Sequence, residues 1–268
     1  MPRENNFLLG LGEKLTTPVR IERGGRPKNP PYEFPVARER IAKRAAGVRR
    51  DLESIPKEAC PNDEAVALLT LHPRYISKSD FPSDFLKASG LRSIGSRKAF
   101  VKPDGWGIKE HPVEAETAAL YVAAPREAFI ALATDLPRWT GQEKGADDLS
   151  MIEDLSLFSA KDKVRSVPDT ADSLLEVVLH ADGQNVLGAF GTYADKIGAT
   201  VVMERRHEVG DLLFLPVRVH DKAHAIQLAQ FTFLRVARGM PTLRPYQPGI
   251  LRAASGFGVT LPTEETDR

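Results

Sequence analysis

One order of elements occurs twice in this sequence, and it restricts the possible folds more than any other feature. Residues 65–71 (AVALLTL) form an almost continuous apolar run, which is typical of a central β-strand. A short helical segment follows, and Gly90 is a residue that readily takes the left-handed conformation at a helix end. Strand, helix, strand, strand, helix and strand are predicted between residues 61 and 168, and the same order returns between residues 172 and 246.

This repeated order predicts an α+β protein with two tandem ferredoxin-like (β-α-β-β-α-β) sandwiches, each with its helices on one face of an antiparallel sheet. Weaker strands at residues 155–158 and 164–167 are assigned to the first unit. In the second unit, residues 200–206 are expected to form a strand, and apolar spacing predicts a helix from Asp221 to the stop at Gly239. A strand over residues 242–246 is expected to close that unit.

Before the first unit, proline, glycine and arginine are frequent, which favours an extended arm. Apolar spacing then predicts a helix from about residue 35 to 55. The expected domains are a basic arm and helix at 1–60, a first module at 61–168, a second module at 169–248 and a connector at 249–268.

The formal net charge of +1 is unevenly distributed along the chain. Residues 1–50 contain 12 Lys and Arg against 5 Asp and Glu, whereas the remainder contains 25 basic and 31 acidic residues. Such an arm can bind nucleic acid or an acidic protein surface, although a solvated face is the commoner reason for a charge run. The residues assigned to this nucleic-acid alternative are Arg40, Lys43, Arg44, Arg49 and Arg50.

RNA-recognition domains share the predicted fold and stack bases on aromatic side chains of their central strands. The corresponding strands here offer Tyr121 and Phe214 in mostly aliphatic surroundings, so a core role is expected for both rings.

The single cysteine, Cys60, permits no internal disulfide, which fits a reducing compartment. No stretch reaches the roughly 18 apolar residues that a membrane span needs, so we expect a cytoplasmic protein with no membrane partner.

No complete catalytic, metal or cofactor site is recognisable. His220 and His224 have a spacing that suits a metal, but Asp221 is expected to cap the helix and to leave His220 outside it. His180 and Asp182 are expected in a turn at a strand end. We therefore predict no catalytic residue, no cofactor and no metal, while an enzyme whose site no motif reveals stays an alternative.

Several motifs distributed over almost the whole chain carry a resemblance. They are NFLLG at 6–10, GEKL at 12–15, ACPNDEAV at 59–66, LHPRY at 71–75, GLRSIGSR at 90–97 and FLRVARGMPTLRP at 233–245. The set resembles the N-terminal region of bacterial subtilisin-like serine proteases (subtilases) encoded beside an AAA ATPase, a pair associated with plasmid exclusion toxins and phage defence.

This resemblance implies a non-catalytic region, because none of the Asp, His and Ser motifs of the subtilase triad is present. The protease domain of the parent protein would begin after about residue 268. The second module would then occupy the position of a propeptide, which acts as chaperone and inhibitor by protein–protein contacts. The implied partners are that protease domain and an AAA ATPase or protein substrate. The implied interface residues are Arg238, Leu243, Arg244, Tyr246, Phe7 and Leu8.

Overall fold

The computed structural model describes residues 30–76, 80–105, 113–168, 172–183 and 185–240, and these contain two β-sheets with helices. The helices are α1 (Phe34–Glu53), α2 (Ser83–Ala88), α3 (Arg126–Asp135), α4 (Ala160–Lys163), α5 (Val186–Lys196) and α6 (Lys222–Leu228). The strands are β1 (Glu64–Leu71), β2 (Arg92–Val101), β3 (Ala115–Pro125), β4 (Ile152–Leu157), β5 (Val164–Arg165), β6 (Ser173–His180), β7 (Thr200–Val201), β8 (His207–Val209), β9 (Leu212–Val219) and β10 (Leu234–Gly239).

The first sheet has four antiparallel strands in the order β2-β3-β1-β4. Its apolar run gives β1 a central place, as the sequence predicted, because such a strand is buried on both faces. On one face, Leu69 of β1 packs in a single cluster with Ile41 of α1, Phe85 of α2 and Phe129 of α3. Helices α1, α2 and α3 therefore cover this side of the sheet.

The second sheet has the order β5-β10-β6-β9-β7, and β8 pairs with β9 outside this path. β5 runs parallel to β10, and the other pairs are antiparallel. Leu175 and Val177 of β6 pack in one cluster with Phe190 of α5 and Leu228 of α6. The mixed α+β character predicted from the sequence is therefore present in both halves.

The helix predicted from Asp221 to Gly239 is much shorter, and this expectation was wrong. Asp221 does cap α6 by accepting a hydrogen bond from the His224 amide at 2.7 Å, but α6 ends at Leu228. The chain turns and returns as β10 between β5 and β6. The sequence of β10 and the turn before it is rich in aromatic and β-branched residues, which favour a strand once partner strands are available. The closing strand expected at 242–246 lies outside the described residues.

Two further strand predictions need correction. Residues 200–206 form only the two-residue strand β7, followed by a 3-10 turn at Met203–Arg205. The weak strand at 164–167 is β5, and it pairs with β10 of the second sheet although it was assigned to the first unit. Such pairings join residues far apart in sequence, so local pattern carries little information about them.

The second face of the first sheet is covered by the second half of the chain. Val66, Leu68 and Tyr121 belong to the same buried cluster as Leu175 and Val177 of the second sheet. A polar contact spans the same boundary: the guanidinium of Arg92 donates to both oxygens of Glu64 at 2.6 and 2.8 Å, and to Asp182 at 2.7 Å. The two sheets therefore share one hydrophobic core. Within the described ranges, no helix combines the length and apolar character needed to cross a bilayer.

A glycine beside α2 provides a test of this packing. Gly145 has φ +93°, and a Cβ there would lie 2.6 Å from both the Cα and the N of Phe85. We expect Gly145→Ala to lower the free energy of unfolding by about 2–5 kcal/mol, because left-handed strain adds to a clash with backbone. Urea denaturation measures the change.

The matched control is Gly210→Ala, where φ is +56° and no atom lies within 4 Å of the added methyl group. Only the conformational cost remains there, so we expect a loss of about 1 kcal/mol. Equal losses in the two variants would contradict the proposed close contact at Phe85.

Candidate protein interface

The face of the second sheet opposite its helices is the candidate site. Side chains alternate along a strand, so Leu175 and Val177 face the helices while Glu176 and Val178 point to the other side. Opposite Glu176 lie Pro216 of β9 and Arg238 of β10, and opposite Val178 lie Phe214 and Val236. Val178 is buried, whereas Glu176, Phe214 and Val236 are partly exposed, and we call this side of the sheet the open face.

A groove of about 290 Å³ runs along the open face. Phe214, Pro216 and Met240 give it an apolar lining, and Glu176 and His207 supply polar groups. Met240 is 40% exposed and lies at this groove. An apolar groove with a few polar groups is suited to binding an extended peptide or a protein surface.

Arg238 is the predicted interface residue that the structure describes at this site. Its Nε donates to Glu176 Oε2 at 2.6 Å, and a second guanidinium nitrogen contacts the same oxygen. The side chain is about half exposed, so one face of the guanidinium stays available to a partner. The sequence placed Arg238 in the last turn of a helix, whereas it lies in a strand.

The other predicted interface residues fall outside the described residues. They are Phe7, Leu8, Leu243, Arg244 and Tyr246.

The five basic residues of the nucleic-acid alternative all lie on α1, and four of them form ion pairs within the chain. The pairs are Arg40 with Glu153 and Asp104, Lys43 with Glu39, Arg44 with Asp154, and Arg49 with Glu53. Arg50 is exposed. Of the two candidate aromatic rings, Tyr121 is buried against the second half and Phe214 is partly exposed in the groove. Nucleic-acid binding stays a prediction.

A buried polar cluster, which we call the His72 corner, was not predicted as a unit. It consists of Tyr32, Arg40, His72, Gly105 and Glu153. The Tyr32 hydroxyl donates to Glu153 at 2.7 Å and accepts from the Gly105 amide at 2.9 Å, while Nε2 of His72 lies 2.8 Å from the Gly105 carbonyl oxygen. The Arg40 guanidinium lies 3.8 Å from the centre of the Tyr32 ring and 2.6 Å from Glu153.

Burial dominates the electrostatics of this corner. It lowers the pKa of His72, so the neutral imidazole is favoured. Burial and the Glu153 carboxylate raise the pKa of Tyr32 above its usual range, which keeps the hydroxyl protonated as a donor. The arrangement joins α1, the end of β1, the loop after β2 and β4, and it is best explained as structural support. The only signal in the sequence was the motif LHPRY at 71–75.

The remaining single residues predicted from sequence form no reactive group. His220 lies just before α6, its ring stacks on His224, and its Nδ1 is 2.9 Å from Asp172. Cys60 is buried, and burial raises the pKa of its thiol. Among the residues that the structure describes, no group of three or more His, Cys, Asp or Glu could hold a metal.

His180 lies at the boundary between the two sheets and is 1% exposed. Its ring centre is 4.6 Å from that of Tyr121, over which the Arg235 guanidinium also lies at 4.8 Å. Neither ring nitrogen has a hydrogen-bond partner of good geometry in the described part of the chain. Burial, followed by the charges of Arg235 and Lys163, lowers the pKa of His180 to about 3, against opposing effects of Asp182 and the Ile94 backbone.

Comparisons with known proteins add no named relative. No known protein family matches the chain, and no curated protein matches it. Among solved structures, it is similar to the crystal structure of an unknown protein from Galdieria sulphuraria, with 15% sequence identity, coverage of 58% of this chain and 80% of that chain, and a TM-score of 0.20. A TM-score this low supports no argument about fold or function.

The buried state of His180 predicts acid sensitivity. Its folded pKa of about 3 lies below the value of about 6.5 in an unfolded chain, so its stabilising effect is complete above pH 6.5 and is lost as the pH falls towards 3. Between about pH 7 and 5 this residue should remove about 2 kcal/mol from the free energy of unfolding. Urea denaturation at both pH values measures the loss.

His180→Leu should abolish most of this pH dependence. Equal acid sensitivity of wild type and His180→Leu would show that other groups cause it.

The His72 corner can be tested with Tyr32→Phe. Removal of the hydroxyl leaves a buried carboxylate and a backbone amide without one partner each, so we expect a loss of about 1–3 kcal/mol in the free energy of unfolding. Tyr193→Phe, which loses one bond to the Gln227 carbonyl at 2.8 Å, is the control with a smaller expected loss of about 1 kcal/mol. Chemical denaturation measures both, and an unchanged Tyr32→Phe would contradict the structural role.

Proposed function

We propose that this chain is the non-catalytic N-terminal region of a cytoplasmic subtilisin-like serine endopeptidase and that it acts through protein–protein contacts. The open face of the second sheet carries this proposal. Phe214, Pro216 and Met240 line one groove, in which Met240 is exposed, Phe214 is partly exposed and Pro216 is buried. An apolar patch that reaches the surface is typical of an interaction site. The resemblance of the sequence motifs to the corresponding region of subtilases supplies the identity of the partner.

We further infer that each half is a ferredoxin-like split β-α-β unit. The strand order β2-β3-β1-β4 of the first sheet has its counterpart in β7-β9-β6-β10 of the second, with one helix after the first strand of each unit and one after the third. β5 and β8 are additions to the second unit. This correspondence supports a duplicated unit.

In this proposal, the second unit acts as chaperone and inhibitor of the protease domain. The open face docks on the protease domain. Residues 241–268, which follow Met240 in the sequence, extend towards the substrate groove of that domain. An extended segment binds such a groove mainly by strand addition, with main-chain hydrogen bonds providing affinity. The first unit, with α1, is the proposed docking unit for an AAA ATPase or for a protein substrate, as part of a plasmid-maintenance or phage-defence system.

The proposal predicts that the chain binds and inhibits its protease domain when the two are produced separately. Hydrolysis of a fluorogenic peptide by the protease domain, titrated with this chain, measures the inhibition constant. We expect inhibition at about micromolar concentration, as is common for a moderately sized interface. Absence of both binding and inhibition at that concentration would overturn the proposal.

Two variants locate the surface. Arg238→Glu and Met240→Glu should each weaken inhibition by about tenfold or more, because they place a charge that the partner does not match. Their matched controls are Lys87→Glu on α2 and Val209→Glu, both at exposed positions that do not line the groove. Inhibition that survives both open-face variants unchanged would exclude the open face as the interface.

A further inference from the structure

A cavity of about 340 Å³ lies where the two halves of the chain meet. Its walls come from the end of α1, the end of β4, α4 and the turn after α6. Ile55, Leu157, Phe158, Ala160 and Ala229 form its apolar walls, and Asp51, Ser54, Ser159, Lys163 and Gln230 form its polar walls. This volume falls within the range of small-molecule sites. The cavity is separate from the open face of the second sheet.

One lysine lines this cavity and is almost completely withdrawn from solvent. Lys163 is 2% exposed, and its Nζ donates to the Phe231 carbonyl at 2.9 Å, with the Thr232 carbonyl at 3.5 Å. Nζ also lies 5.7 Å from the centre of the Phe158 ring. No carboxylate of the described residues forms an ion pair with it, whereas the exposed Lys43, for example, has one. A buried ammonium without a counter-ion costs several kcal/mol.

We propose that the cavity beside Lys163 binds a small monocarboxylate with a short apolar tail. The carboxylate supplies the anion that the buried ammonium lacks, in a charge-assisted hydrogen bond. The tail packs against Ile55, Leu157 and Phe158. Dianions such as phosphate are disfavoured because the Asp51 carboxylate lines the same cavity and repels the added negative charge.

The charged and titratable groups around the cavity narrow the ligand further. Asp51 of α1 lines the same cavity and repels anions, so the single ammonium of Lys163 can offset one ligand carboxylate but not two. Cys60 interacts with Lys163, but burial raises the pKa of its thiol and keeps it neutral. Lys163 also acts on the buried His180 and disfavours its protonation. A ligand with one carboxylate therefore fits this set of neighbours best.

The site predicts a link between binding and protonation. Burial lowers the pKa of Lys163 to about 7, so the free protein is partly neutral at this position near neutral pH. A bound carboxylate stabilises the charged ammonium form of Lys163 over the neutral amine, so the protein takes up a proton from solvent when the ligand binds. Affinity should therefore fall by about tenfold per pH unit well above pH 7.

Isothermal titration of the whole chain with butyrate tests the proposal, with butylamine and 1-butanol as probes of equal tail length. We expect butyrate to bind with a Kd of about 1 mM or below near pH 6.5 and at least tenfold more weakly near pH 8.5. The alcohol and the amine should bind at least tenfold more weakly than the acid. No heat from butyrate up to about 20 mM, or equal binding of the amine, would overturn the proposal.

Variants of α4 provide the matched pair. Lys163→Met keeps the apolar volume and should abolish butyrate binding, whereas Lys161→Met, at an exposed lysine of the same helix, should retain it. Binding by Lys163→Met at wild-type affinity would overturn the proposal. If Lys163→Met does not fold, the proposal is tested instead by carbon-13 NMR of the lysine ε-carbons in the wild-type chain, with and without butyrate. Butyrate should raise the titration midpoint of the one low-pKa lysine, and an unchanged midpoint overturns the proposal.

Discussion

The turn at residues 231–233 fixes the two sheets against each other, and most of the structure depends on it. Phe231 and Phe233 are fully buried, while the Thr232 amide donates to the Ala59 carbonyl at 2.8 Å and its hydroxyl donates to the Glu64 carbonyl at 2.9 Å. The same turn ends α6 and starts β10, which lies between β5 and β6. This short segment therefore donates hydrogen bonds to two backbone carbonyls of the first half. It also positions β10 inside the sheet of the second half.

The boundary between the sheets also contains the polar groups that are hardest to bury. Among the described residues, Lys163 donates to the carbonyls of the turn and has no carboxylate partner, and His180 lies among Tyr121, Gly95 and Arg235 without a hydrogen bond of good geometry. Apolar residues at these places would be less costly. Their position connects the protonation state of two side chains to the contact between the halves, so pH and any ligand at Lys163 act on the same boundary.

The two sheets differ in how much of their surface is covered. The first sheet is buried on both faces, by α1, α2 and α3 on one side and by the second half on the other. The second sheet packs its helices on one face and presents the groove with Phe214 and Met240 on the other. Because an antiparallel sheet is stable with one solvated face, this face is free to take part in recognition. This asymmetry favours the second half as the unit that contacts a partner.

Local signals in the sequence determined the elements whose stability is itself local. The apolar run of β1, the spacing of buried residues in α1, the positive φ at Gly90 and the cap at Asp221 were all predictable, because each depends on residues within one turn or strand. Tertiary structure alone decided that residues 234–239 form a strand and that β5 joins the second sheet, since partners distant in sequence supply the hydrogen bonds. It also paired Arg40 with Glu153, and it placed Arg238 on a sheet face, because both positions depend on strands brought together from distant parts of the chain.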